Sequence, residues 1–226
     1  MRLALFDLDH TLLSGDSDVL WCEFLMAEGQ LDRAAFEPRN AEMARRYAEG
    51  SVGARDFCEF YVGTLAGRTL AEWRPWCERF LDDVIAPRIP EAAFALVETH
   101  RARGDRLVLT TATSRVLTEL TAQRLGIAEL LATEVETDAD GRCSGRTRGV
   151  LNMREGKVER LHAWLAEDGP GPDERHAMLR EAVFYSDSMN DLPLLQAVGT
   201  PVAVDPDERL RRHAQAAGWR VLALAR

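Results

Sequence analysis

The chain has 226 residues, 46% hydrophobic and 29% charged, enough to bury a core without disulfides or a structural metal. Its 37 acidic residues outnumber 28 basic ones, and no block of basic residues offers the phosphates of a nucleic acid a surface. No stretch approaches the ~18 apolar residues of a membrane span, and Asp7 and Asp9 interrupt the N-terminal apolar run too early for a secretion signal.

Residues 3–6 read as a short buried parallel strand. From Asp16 onward helical patterns dominate, over residues 18–28, 32–49, 54–65 and 70–84, with Gly50, Gly53 and Gly67 between them. Trp21, Phe24 and Leu25 recur at helical spacing. This block carries no strand signal, so residues 16–85 are expected to be an all-helical insertion, with residues 1–15 and 86–226 forming the other domain. Pro87 and Pro90 mark its exit.

Strands and helices then alternate. Residues 91–103 read as helix, 107–111 as strand and 114–125 as helix. Asp140-Gly141 separates two strand-like runs, 134–137 and 142–146, which is a hairpin signal. A helix is expected over 157–167, an exposed loop over 169–172, a strand over 182–185 and a short helix over 192–197. A strand at 202–204, a helix at 207–217 and a strand at 220–224 complete the pattern. Such alternation predicts an α/β fold, a doubly wound parallel sheet with a helical insertion after its first strand. In sheets of this kind ligands bind at the carboxyl ends of the strands.

Four groups of residues fall at those ends. Asp7-Leu8-Asp9-His10-Thr11 closes the first strand, and residues two apart on extended chain share a face. Two carboxylates so placed repel, and a hard cation offsets the repulsion. Taken alone, the pair reads equally well as a strand-ending turn. Thr110-Thr111-Ala112-Thr113-Ser114 follows the next strand, and alone it reads as a helix cap. Ser186-Asp187-Ser188-Met189-Asn190-Asp191 follows a third strand and again allows a capping role.

The fourth group is one residue, Lys157. The 28 basic residues divide into 27 arginines and this single lysine. One lysine on a helix is normally solvated surface, but here the rest of the chain uses arginine. In a doubly wound fold the four groups converge on one crevice. Their charge suits a divalent cation beside a phosphoryl group.

These residues resemble the haloacid dehalogenase superfamily in its phosphatase form. Asp7-Leu8-Asp9-x-Thr11 is similar to motif I, Thr111 to motif II, Lys157 to motif III and Asp187-x-x-Asn190-Asp191 to motif IV. The resemblance covers nearly the whole chain, and the helical insertion resembles the small helical cap of that superfamily. The string Tyr185 to Pro193 resembles the subfamily IB branch, which includes phosphoserine phosphatases and bacterial histidinol-phosphate phosphatases. The opening residues 3–9, with Gly15-Asp16-Ser17-Asp18, resemble the second group more closely. Ser186 stands where glycine is usual, a change expected to be tolerated.

The resemblance implies a Mg²⁺-dependent hydrolase of a small-molecule phosphate ester. Asp7 would be the nucleophile and Asp9 the general acid and base. The Asp7 side chain, the Asp9 backbone carbonyl and Asp187 would hold Mg²⁺, with Asp191 orienting its waters. Thr111, Lys157 and Asn190 would bind phosphoryl oxygens. Asp16 or Asp18 could meet the ammonium of an amino-alcohol phosphate, although Asp16 reads equally well as a helix cap.

Other readings carry less. A receiver domain would place its phosphoacceptor on a later strand and have no insertion. The segment Gly63 to Thr69 lacks the lysine and spacing of a P-loop. A dehalogenase usually lacks an acid at Asp9. A non-catalytic phosphoryl-binding scaffold need not keep Asp7, Asp9, Lys157, Asp187 and Asp191 together. Cys22, Cys58, Cys77 and Cys143 have neither zinc-ligand nor disulfide spacing, so reduced thiols in a cytoplasmic protein, monomer or homodimer, are expected.

Overall fold

The computed structural model describes residues 2–225. Its strands are β1 (Leu3–Phe6), β2 (Arg106–Ser114), β3 (Glu129–Thr137), β4 (Cys143–Arg148), β5 (Val183–Ser186), β6 (Thr200–Val204) and β7 (Arg220–Leu222). Among the described residues they form one seven-stranded sheet in the order β4-β3-β2-β1-β5-β6-β7. All pairings are parallel except β3 with β4. The expected α/β doubly wound sheet is therefore the observed one.

β1 lies at the centre because Leu3, Ala4, Leu5 and Phe6 are apolar on both faces. Ala4 and Phe6 point into one core with Leu109, Tyr185 and Val202. Leu3 and Leu5 point into the other with Val108, Phe184 and Ala203. Alternate side chains of a strand leave on opposite faces, so one four-residue run anchors two helical layers. Chain order reverses at β1, with β2 on one side and β5 on the other, and a crevice opens at such a reversal. Asp7 is the next residue of the chain.

The helices are α1 (Ser17–Ala27), α2 (Arg33–Glu49), α3 (Ala54–Val62), α4 (Leu70–Phe80), α5 (Glu91–Ala102), α6 (Arg115–Arg124), α7 (Glu155–Glu167), α8 (Pro172–Glu181), α9 (Leu192–Ala197) and α10 (Glu208–Ala217). α1 to α4 occupy the chain between β1 and α5. Trp21, Phe24, Trp73 and Phe80 join the core on the Phe6 face of the sheet. Cys22, Met43, Phe57, Cys58 and Tyr61 form a smaller core above the strand ends, which Met153 completes. All four cysteines are buried free thiols.

Two elements differ from the pattern in the sequence. α8 covers residues between the expected loop and strand to which the sequence assigns no element, because it buries Leu179 alone and shows no apolar period. Its start signals are present, Pro172 at the first helical position and Asp173 and Glu174 in the first turn. β3 begins five residues before the expected strand at 134, since Leu130 and Leu131 pair in parallel with Leu109 and Thr110 before the Asp-Gly hairpin to β4. That pairing is non-local and leaves no local signal.

Candidate active site

The four groups of residues meet above the ends of β1, β2 and β5. Lys157 lies in the first turn of α7 and is buried at 2% exposure. Its Nζ donates to Asp7 Oδ1 and to Asp191 Oδ2, each at 2.8 Å. Ser186 Oγ donates to the same Asp191 oxygen at 2.8 Å and accepts from the Ser188 N–H. The serine at this unusual position thus supplies Asp191 with a second donor.

Thr11 Oγ1 faces both Asp7 Oδ2 and Asp187 Oδ1, at 3.2 Å each, and accepts from the Asp187 N–H. A hydroxyl has one proton, so it satisfies only one of those two carboxylate oxygens. Burial pushes the Asp187 carboxyl well above the ordinary range, and the charges of Asp7 and Asp191 add to it. Asp7 rises to about 7, burial outweighing the lowering by Lys157. Burial works against the Lys157 ammonium, yet Asp191 and Asp7 hold its pKa above the ordinary value. One ammonium thus serves two buried carboxylates, Asp7 and Asp191, while Asp7 and Asp187 share a single hydroxyl proton.

That donor set fits a hard divalent cation. Asp7 and Asp187 supply two carboxylates, and the Asp9 carbonyl lies beside them in the chain. Among the described residues no three carboxylate, imidazole or thiol side chains converge as a cage. A site of few carboxylates that leaves waters on the ion suits magnesium better than calcium or zinc.

Carboxyls with raised pKa stabilise the fold while protonated. Their contribution is full below pH ~4 and is lost as pH rises through the folded value. For Asp7 and Asp16 that value is about 7. Without divalent cation, the melting midpoint is expected to fall by at least roughly 4 °C from pH 5 to pH 8. Added Mg²⁺ should recover more of it at pH 8 than at pH 5. A midpoint that climbs over this interval in EDTA would contradict the assignment.

The Asp9 side chain turns toward α1 and β2. Its Oδ1 accepts from the Ser17 N–H at 2.7 Å, and its Oδ2 from Thr113 Oγ1 at 3.0 Å and Thr111 Oγ1 at 3.4 Å. Thr111 is fully buried, and its hydroxyl also accepts from the Thr113 N–H. Asn190 is turned aside: its amide donates to the Tyr47 carbonyl at 3.2 Å and its oxygen accepts from Arg154 Nε at 3.3 Å. Of the expected phosphoryl-binding residues, the structure places only Lys157 against Asp7.

A cavity of about 20 Å³, the room of one water, is lined by Asp7, Asp9, Asp187, Asp16, Tyr47 and Phe57. Asp16 caps α1 through the Val19 N–H at 3.0 Å and still reaches the cavity, so both expected roles remain open to it. Burial, then the charge of Asp9, raises its pKa to about 7. Asp18 does not reach the cavity. It is 3% exposed, and its Oδ2 accepts from Thr113. Two residues past Asp16 on a helix, it faces another way, which removes it from contact with a substrate.

A larger cavity of about 300 Å³ lies between α4, α6 and the β3–β4 hairpin. Its acids Glu119 and Glu134 are paired with Arg74 and Arg115, and it holds no nucleophile–base pair. The clustered carboxylates line the smaller cavity at the strand ends instead.

Several contributors carry no motif signal. Asn152 is fully buried, and its amide nitrogen, with two protons to give, lies 2.8–3.0 Å from Thr110 Oγ1, the Thr111 carbonyl and the Leu131 carbonyl, tying the β2 end to the segment before α7. Arg154 adopts φ 53° and its guanidinium binds the Gly50 and Val52 carbonyls between α2 and α3. Tyr47 and Phe57 stack on each other, ring centroids 4.5 Å apart, and both line the cavity.

Gly156 sets the approach of α7. A Cβ there would lie 2.0 Å from the Leu151 carbonyl oxygen. Gly156→Ala is therefore expected to cost about 1–3 kcal/mol, seen as a lower urea midpoint, and to disturb the adjoining Lys157. An unchanged midpoint would show that this backbone gives way freely.

The haloacid dehalogenase-like hydrolase family profile matches residues 4–196. The chain belongs to that family and is a hydrolase of its phosphatase kind. It is 37% identical over 221 residues to a histidinol-phosphatase of Neisseria meningitidis serogroup C, covering 98% of each chain. It is 32% identical to a phosphoserine phosphatase of Mycobacterium tuberculosis, covering 96% of this chain and 69% of that one. A solved protein of unknown function from Bordetella pertussis Tohama I superposes with TM-score 0.90 at 44% identity, over 99% of both chains. A substrate-bound phosphoserine phosphatase shares the fold at TM-score 0.69 and 17% identity, over 98% of this chain and 92% of that one.

Proposed function

We propose that the chain is a Mg²⁺-dependent phosphomonoester hydrolase that acts through an aspartyl-phosphate on a small amino-alcohol phosphate, histidinol phosphate above others. The observation that carries this reading is the Lys157 ammonium bridging Asp7 and Asp191 beside the facing carboxylates of Asp7 and Asp187. A carboxylate attacks an anionic phosphate only where its charge and the phosphate's are both offset.

Asp7 attacks phosphorus in line, and the ester oxygen leaves with a proton from Asp9. Water then attacks the aspartyl-phosphate and gives its proton to Asp9, which frees phosphate and restores the Asp7 carboxylate. Lys157 holds the oxygens of Asp7 and of the phosphoryl group. Asp7, Asp187 and the Asp9 carbonyl would hold Mg²⁺, which supplies positive charge against the phosphoryl oxygens when bound. Asp191 keeps Lys157 in place and would orient waters on the ion.

Residues 16–85 serve as a cap in this reading. The present cavity admits no ester of this size, so the α2–α3 connection withdraws for entry and release. Its ties to Asn190, Arg154 and Arg209 break as it does. Asn190 then becomes free to meet a phosphoryl oxygen. The Tyr47–Phe57 stack suits a flat ring, and Asp16 suits an ammonium. This pairing, with the 37% identity to a histidinol-phosphatase, favours histidinol phosphate. Phosphoserine is the second reading, favoured by the Mycobacterium tuberculosis relative.

The test is phosphate release from histidinol phosphate, phosphoserine and an amine-free alkyl phosphate, with Mg²⁺ and with excess EDTA. Histidinol phosphate is expected to give the highest kcat/KM, and EDTA to stop turnover. Asp16→Ala should raise KM for the amine-bearing esters alone. Full turnover in EDTA would remove the metal from the reading. A preference for phosphoserine would install the second reading.

A further inference from the structure

Thr113 Oγ1 has three polar neighbours at close range. Asp9 Oδ2 and Asp18 Oδ2 each lie at 3.0 Å, and Ser17 Oγ at 3.1 Å. A threonine hydroxyl has one proton to give and two lone pairs to receive. With Ser17 donating to one lone pair, one donation and one acceptance remain for two carboxyl groups. The hydroxyl cannot donate to both, because the second acceptor would face an oxygen lone pair inside the protein. One of the two therefore donates a proton of its own to Thr113 Oγ1.

The surroundings decide which. Asp9 has two donors besides Thr113, the Ser17 N–H and the Thr111 hydroxyl. Asp18 has no basic partner among the described residues, and it is buried at 3% exposure with Cys22 and Cys58 nearby. Burial and the charges of Asp16 and Asp9 also raise its pKa well above the ordinary value. The donor to Thr113 Oγ1 is Asp18.

We propose that Asp18 is a positioning residue for Asp9: as the neutral acid it donates to Thr113 Oγ1, which commits the single Thr113 proton to Asp9 Oδ2. Both Asp9 oxygens are then pinned, Oδ1 by the Ser17 amide and Oδ2 by two hydroxyls. The carboxyl plane is fixed, and Oδ1, with one donor against it, keeps its second position for the proton that the leaving oxygen takes. Ser17 and Asp18 belong to the first turn of α1, so the helix that follows the Asp7 loop carries the support for its acid–base group. This rests on the proposed role of Asp9 in phosphoester hydrolysis.

The experiment compares kcat/KM for two esters, an alkyl phosphate whose alkoxide needs a proton to leave and a nitrophenyl phosphate whose phenoxide needs little. That ratio covers the steps up to departure of the alcohol, where Asp9 acts as acid. Asp18→Ala and Thr113→Val are expected to lose about 10–100-fold on the alkyl ester and less than about 3-fold on the aryl ester. Asp18→Asn keeps a donor to Thr113, and Thr113→Ser keeps the hydroxyl, so each should recover most of the alkyl rate.

Equal losses on both esters would overturn the proposal, because a general loss of packing does not read the leaving group. So would Asp18→Asn as damaged as Asp18→Ala, which would mean that an ionised carboxylate is required. If Asp18→Ala fails to fold, Thr113→Val against Thr113→Ser decides the same question. Wild-type protein inert toward both esters would overturn the phosphatase reading and this role together. An Asp9→Ala variant that loses equally on both esters would remove Asp9 as the acid, and Asp18 with it.

Discussion

Asp7→Asn is expected to lower phosphate release by roughly 10⁴–10⁶-fold, the scale of losing a covalent nucleophile. The amide has nearly the shape of the carboxylate and keeps an oxygen for Thr11 or Lys157. Folding should survive, since burial already disfavours charge on Asp7. What disappears is the anionic oxygen that bonds to phosphorus. Lys157 keeps Asp191, at 2.8 Å, as its partner. The measurement is single-turnover phosphate release, with the melting midpoint as control. Turnover near the wild-type value would end the assignment of Asp7 as nucleophile. Activity that returns slowly on storage would point to deamidation and would support it.

Lys157→Arg is the second large effect, although the substitution keeps the charge. The ammonium sits between Asp7 Oδ1 and Asp191 Oδ2, 2.8 Å from each, and 5.7 Å from the Phe184 ring centre. It is a compact charge with tetrahedral donors. A guanidinium is flat, longer and forked, and two of its N–H groups point the same way. In a space where lysine is 2% exposed, the extra volume has to move Asp7, the β5 end or the first turn of α7. A loss of about 10²–10³-fold in kcat is expected, because an ångström of misplacement at the reacting atoms has that weight. Near-normal kcat and KM would make the solitary lysine an accident of composition.

The two substitutions also show how much of the site was legible in the chain. Asp7, Asp9, Asp187, Asp191 and Lys157 are named by residue type and by position at strand ends or a helix start. The structure brings the first strand's end, α7 and the β5 end into hydrogen-bond contact through Thr11 and Lys157. Thr111 and Asn190 are named equally well by motif, yet one hydroxyl faces Asp9 and the other side chain faces Tyr47 and Arg154. Motif spacing records which residue types are needed, while the direction of a side chain depends on partners far away in sequence. Asp18 is the clearest case. Its acid beside Asp16 suggests a second ligand for an amine, but helical geometry turns it inward to Thr113, 95 residues away.

Local chemistry was enough for the class of fold, the helical run after β1, the Asp-Gly hairpin and the carboxylates at strand ends. Those features follow from apolar period, turn residues and charge, each carried by neighbours in the chain. Tertiary structure alone decided the rest: the extension of β3 by pairing with β2, the supports Asn152, Arg154 and Thr113, and the aromatic pair over the cavity. Each depends on a buried polar group finding a distant donor or acceptor, or on helices meeting across the crevice. The sequence singled out Lys157 because it is one lysine among 27 arginines. Only the fold shows what surrounds it, since two buried carboxylates from distant parts of the chain close on the ammonium at 2.8 Å each.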